Sequence, residues 1–108
     1  MALEFSVTQS RTGDTIVVAV GGEVDMLTAP VVEKAAAAAV LEPDAVRVVV
    51  DMTSVSFLDS TGLGALVRVR ELAESNRTDL VLRDLSPEIL RLFELVGLRT
   101  VFDIEPRG

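Results

Sequence analysis

Short runs rich in β-branched residues alternate with longer stretches of helical period, and this alternation limits the fold more than any other feature of the chain. The runs are residues 15–20 (TIVVAV), 46–52 (VRVVVDM) and 79–83 (DLVLR). Strands separated by helices pair in parallel through right-handed crossovers. Ahead of the first run, Leu3, Phe5 and Val7 alternate with Glu4, Ser6 and Thr8, the period of a half-buried strand. Ser10-Arg11-Thr12-Gly13-Asp14 reads as the turn between them, with Gly13 left-handed, so the chain opens with a β-hairpin. Gly21-Gly22 reads as the end of the second strand.

A helix is expected over 29–41, with Thr28 as N-cap and Pro30 in the first turn. Its alanine run, Ala35 to Ala39, suits close packing on a sheet. Glu42-Pro43-Asp44 breaks it. The run 46–52 is expected to be a central parallel strand, and 53–58 a connector. A second helix over 61–74 would bury Leu63, Leu66, Val67, Leu72 and Ala73, with Asn76 as its stop. Ser86-Pro87-Glu88 is a helix start. Leu90, Phe93, Leu95 and Val96 form its apolar positions, and Gly97 fits the position just past its end. A last strand is expected over 100–104, then a short tail. The order is ββαβαβαβ in one α/β domain, 1–108, with a core of about 3–104. The sheet is mixed but mostly parallel.

Composition excludes several kinds of chemistry. The chain has 10 basic and 17 acidic residues, a net charge of −7, and Lys34 is the lone lysine. Nucleic-acid binders carry the opposite sign or a basic patch, and four phenylalanines without Trp or Tyr offer little for base stacking. With no cysteine and no histidine, neither a thiolate or His-based metal site nor a Ser-His-Asp triad can be assembled from this chain. No stretch has the pattern of a secretory signal, and no apolar run reaches the roughly 18 residues of a membrane span. A soluble cytoplasmic domain is expected.

One junction stands apart: Phe57-Leu58-Asp59-Ser60-Thr61-Gly62-Leu63-Gly64-Ala65-Leu66. Two glycines in a first helical turn each lower helix propensity by roughly 1 kcal/mol. Ser60 falls where orphan N–H groups and the positive end of the helix dipole favour an anion. It is either a helix cap, a role Thr61 could share, or a site that carries phosphate. Gly62 and Gly64 would leave an open surface for another protein. A Walker loop lacks its lysine here, and Asp51 with Asp59 has few companions for a metal; Asp51 reads as a strand end.

This junction closely resembles the signature of the STAS domain family, specifically its bacterial anti-sigma factor antagonists. Gly22-Glu23-Val24-Asp25 with Thr28-Ala29 resembles the family's segment after the second strand. Residues 86–98 with Phe102-Asp103-Ile104 resemble its last helix and strand. The resemblance implies a STAS-type fold with helices mainly on one face of the sheet. It also implies a non-enzymatic phosphoprotein of the stress-response or sporulation type of partner switching. The unphosphorylated form would bind an anti-sigma factor that is also a serine kinase, and so release a sigma factor. ATP, used by that kinase, would phosphorylate Ser60 and end the binding, and a serine phosphatase would reset it. Thr61 is the weaker alternative phosphosite.

Residues Asp25, Thr28, Asp59, Ser60, Thr61, Gly62, Leu63 and Gly64 would meet the partner, Asp25 and Thr28 from the same sheet edge; Glu23 to Asp25 reads equally as acids that favour the dipole of the helix after them. Arg68 and Arg70 read as a solvated face, with partner contact by Arg68 a minor alternative. The free protein is expected to be a monomer without cofactor, metal, nucleic acid or membrane insertion. Two other readings stand beside this one. The first is an accessory STAS subunit docked on an ABC-type transport or lipid-trafficking ATPase. The second is a nucleotide-binding module using Glu23 and Ser60.

Overall fold

In the computed structural model, which describes residues 4–106, five strands lie in chain order across one sheet. They are β1 (Ser6–Thr12), β2 (Thr15–Val24), β3 (Arg47–Leu58), β4 (Asp79–Arg83) and β5 (Asp103–Glu105). Helices α1 (Ala29–Val40), α2 (Ser60–Asn76) and α3 (Pro87–Leu95) make the three crossovers. β1 is antiparallel to β2, and every later pairing is parallel. Leu3 and the last two residues lie outside the described residues.

Strand alternation decides where the core sits. Ile16, Val18 and Val20 of β2, Val48, Val50 and Met52 of β3, and Leu82 of β4 point to one side. There they meet Val32, Ala36, Ala39 and Val40 of α1, Leu66, Val69 and Ala73 of α2, and Ile89 and Phe93 of α3. All three helices therefore cover the same face. The alanine run does what its size suggests: Ala36 and Ala39 are fully buried, which lets α1 lie close to the sheet. On the opposite face Val49 and Val81 are buried without helical cover. Beside them Glu105 accepts from Arg47 (2.6 Å) and Arg83 (3.2 Å), tying β5 back to β3 and β4. The two guanidiniums, Arg83 first, hold the Glu105 carboxyl below the usual range. Among the described residues no helix is long and apolar enough to cross a membrane.

Several boundaries differ from the sequence expectation. β1 continues through Thr12, so the turn shrinks to Gly13-Asp14, with Gly13 left-handed at φ +62°. Gly21-Gly22 does not end β2, and 53–58 is not a connector. Both stretches are strand, paired through Gly21↔Ser54, Gly22↔Val55, Glu23↔Phe57 and Val24↔Leu58. Two irregularities make this possible. From Ala19 to Gly21 β2 advances two residues while β3 advances three, from Asp51 to Ser54. From Gly22 to Glu23 it advances one while β3 advances two. Each is a bulge on β3. Asp51 consequently lies inside β3, its carboxylate accepting from the Thr53 amide at 3.0 Å.

The last strand is shorter than expected. Residues before it turn back through Val101 N–H to Leu98 C=O (3.0 Å), which places Phe102 edge-on against Phe93 at 5.5 Å. Leu95 and Val96 are exposed rather than core, because α3 buries Ile89 and Phe93. The α3 start is as read: Ser86 Oγ accepts from Ile89 N–H at 3.2 Å, ahead of Pro87.

Candidate functional site

The extended ends of β2 and β3 finish side by side, and the Asp59 amide donates to Val24 C=O at 3.2 Å. This places the turn before α1 directly against the start of α2. The first turn is tied by its own polar groups. Asp25 Oδ1 accepts from the amides of Leu27 (2.9 Å) and Thr28 (3.2 Å), and Asp25 C=O accepts from Ala29 N–H (2.8 Å). Thr28 Oγ1 accepts from the Asp25 amide (2.9 Å) and donates to Glu23 C=O (2.8 Å). Thr28 therefore occupies the cap position without capping; its hydroxyl faces back into the loop.

At α2 the cap is Asp59, neither Ser60 nor Thr61. Its backbone is extended, and its Oδ1 accepts from the amides of Thr61 (2.9 Å) and Gly62 (3.2 Å) and from the Thr61 hydroxyl. Two consequences follow. Thr61 has its hydroxyl engaged. Ser60, the first residue of the helix, is exposed, and among the described residues its hydroxyl has no hydrogen-bond partner. The serine that sequence reading offered as a cap is relieved of that work by its neighbour.

The Thr61 hydroxyl, followed by the Gly62 and Thr61 amides, holds the Asp59 carboxyl below its usual range, with desolvation opposing. A depressed folded-state value means the cap contributes fully above the unfolded carboxylate range. Its contribution is lost as pH falls through the lower folded value. Asp59→Ala is expected to melt several degrees lower at neutral pH, and the gap to the parent should close in strong acid. Thermal melts of both chains across that range check it; a gap independent of pH would show that the carboxylate is not the cap.

The two glycines of the motif have different jobs. A Cβ at Gly62 would stand 2.4 Å from Leu58 Cδ1 and 3.0 Å from Val24 Cγ1, so its bareness lets α2 seat on the strand ends. At Gly64 the nearest atom is Arg68 Nη1, 3.3 Å away. Gly64 lines a shallow groove of about 280 Å³ with Ser60, Thr61, Arg68, Met26, Ala29 and Pro30. Leu63 is 7% exposed and turns into the core, and Gly62 is buried beneath the helix start; neither faces the groove. Of the expected contact residues, Ser60, Thr61 and Gly64 line the groove, while Asp25, Thr28 and Asp59 frame its loops.

Sequence reading missed Met26, 71% exposed in the groove with Ser60, and two further exposed apolar residues, Leu27 at 79% and Phe57 at 47%. For Met26 and Leu27 the signal was there: large apolar residues in a short strand-to-helix turn have little core to enter. Arg68 lies at the groove wall and pairs with Glu33 of α1 (Nε 3.0 Å, Nη2 2.9 Å). Arg70 is not merely solvated; its Nε donates to Val101 C=O at 3.0 Å. Among the described residues no group of acidic side chains could hold a metal ion.

Comparison with known proteins adds to this geometry. A sequence model of the STAS domain family matches residues 6–107. The anti-sigma-B factor antagonist of Listeria monocytogenes is 36% identical over 97 residues, covering 90% of this chain and 84% of its own. The crystal structure of an anti-sigma factor antagonist from Mycobacterium paratuberculosis superposes with a TM-score of 0.85 at 31% identity, covering 96% and 87% of the two chains. The anti-sigma factor antagonist SpoIIAA, 20% identical, shares the fold in its unphosphorylated form (TM-score 0.76, covering 96% and 90%). It also does so in its phosphorylated form (TM-score 0.70, covering 96% and 93%).

Proposed function

The chain belongs to the STAS domain family of anti-sigma factor antagonists, and from that membership we propose that it binds an anti-sigma factor in its unmodified form and is switched off by phosphorylation at Ser60. It is a regulatory binding protein, not an enzyme. The observation that carries the switch is the division of labour at the start of α2. Asp59 does the capping, so the exposed Ser60 hydroxyl is free to react without loosening the helix.

The partner is then an anti-sigma factor with serine kinase activity. It would pass the γ-phosphoryl group of ATP to Ser60 Oγ, releasing ADP and the hydroxyl proton. Bound to the unmodified chain, the kinase would let go of its sigma factor. A cytoplasmic serine phosphatase would restore the hydroxyl by hydrolysis. Met26, exposed and lining the same groove as Ser60, supplies apolar surface beside the hydroxyl for such a partner. Phosphate adds about 1.5 to 2 negative charges, which a closely packed partner would have to desolvate.

Capture from a lysate of the source cells tests this, with Ser60→Ala and Ser60→Asp chains as baits and mass spectrometry as the readout. An ATPase-fold kinase held by the alanine form and lost with the aspartate form is expected. Recovery of the same transporter ATPase by both baits would replace this reading with that of a transport subunit.

A further inference from the structure

We propose that Arg68 is an internal receptor for the phosphate on Ser60, exchanging its present partner Glu33 for the phosphoryl oxygens. Ser60, Gly64 and Arg68 follow one another at four-residue spacing, which puts them along one side of α2. Helical side chains lean toward the N-terminus, and Arg68 does so. Its Nη1, Nη2 and Cζ lie 3.3, 3.8 and 3.9 Å from where a Gly64 Cβ would stand. The guanidinium thus already covers the turn next to Ser60, which begins about 6 Å further along the axis. No side chain at Gly64 blocks the way, and all three residues wall the same groove.

The present partner is easily given up. Glu33 holds Nε and Nη2 through the single oxygen Oε1, and the Arg68 side chain is 59% exposed. Exposed ion pairs of this kind contribute little. A phosphoryl group near the dianionic state offers three oxygens and suits the planar guanidinium in two-point contact. The other charges near this cation are acidic: Glu33 on α1 and Glu71 on its own helix. Transfer of Arg68 would leave the Glu33 carboxylate uncompensated on α1. A mark on α2 would then also change the charge presented by α1, not only the modified residue.

The test installs phosphoserine at position 60 of the full chain during translation and follows its phosphorus resonance through a pH titration. Arg68 favours the dianion, so Arg68→Gln is expected to raise the second ionisation of the phosphate, near pH 6 in free phosphoserine, by roughly half a unit. Arg68→Lys should recover part of the difference, since it keeps the charge but not the fork. In the otherwise unaltered chain, the Arg68 Nε resonance should move on phosphorylation. Equal midpoints for the parent and Arg68→Gln would overturn the proposal, and so would an unmoved Nε resonance. The biological use of this contact rests on the reading of Ser60 as the modified residue, but its measurement does not. A kinase that captures the chain and leaves Ser60 unmodified would refute that reading without touching the titration.

Discussion

Ser60→Asp is expected to bind the captured anti-sigma partner more than about a hundredfold more weakly than Ser60→Ala in calorimetric titration, a difference of about 3 kcal/mol. The magnitude comes from what a partner must cover. Ser60 sits on the groove wall with exposed Met26 of the neighbouring turn. A contact there would exclude water, and an added negative charge would lose its hydration without a matching cation from the partner. The fold should hardly notice, because Asp59 and not Ser60 supplies the cap. The two variants should therefore melt together while their affinities diverge. Equal affinities would remove Ser60 from the interface.

The largest expected effect on stability lies at Gly22→Ala, a position with no chemistry at all. Gly22 has φ +86°, and a Cβ there would stand 2.8 Å from both the backbone nitrogen and Cα of Phe5. The left-handed backbone costs an L-residue about 1–2 kcal/mol, and forcing atoms into a filled space about 1–3 kcal/mol more. Backbone cannot swing aside as a side-chain tip can, so a loss of about 2–5 kcal/mol is expected in urea unfolding. Gly13→Ala is the matched control. Its φ is +62° but nothing lies within 4 Å of the new Cβ, so only the conformational part should appear. If both substitutions cost the same, close approach of the Phe5 segment is not what Gly22 serves.

What the sequence made legible was whatever depends on neighbours along the chain. The hairpin at Gly13, the Ser86-Pro87 helix start, the end of α2 at Asn76 and Gly97 just past α3 all rest on local backbone chemistry, and all are found. The fold class followed from the order of these pieces. What was misread depends on distant partners. Gly21-Gly22 looks like a stop, and only β3, with two bulges, turns it into strand. Phe102 belongs to a strand by pattern, but Phe93 draws it into the core and displaces β5 toward the end of the chain.

The site was legible in its motif and not in its mechanics. Asp59, Ser60 and Thr61 can each cap a helix by type, and a shift of one residue decides which hydroxyl is left free. The groove needed both helices in place, since Met26 and Pro30 come from one side and Gly64 and Arg68 from the other.

The bulged extension of β2 and β3 has a kinetic meaning. Both loops of the site grow from paired strand rather than from free connectors, and their polar groups are already bonded to one another. A partner meets a surface whose shape is set before the encounter. Little conformational freedom is then lost on docking, and no slow rearrangement gates association. Changes of state at Ser60 should accordingly be felt in how long the complex lasts, while the rate of finding a partner stays nearly constant. A switch of the proposed kind would be reversed as fast as the complex falls apart, without waiting for a segment of chain to fold.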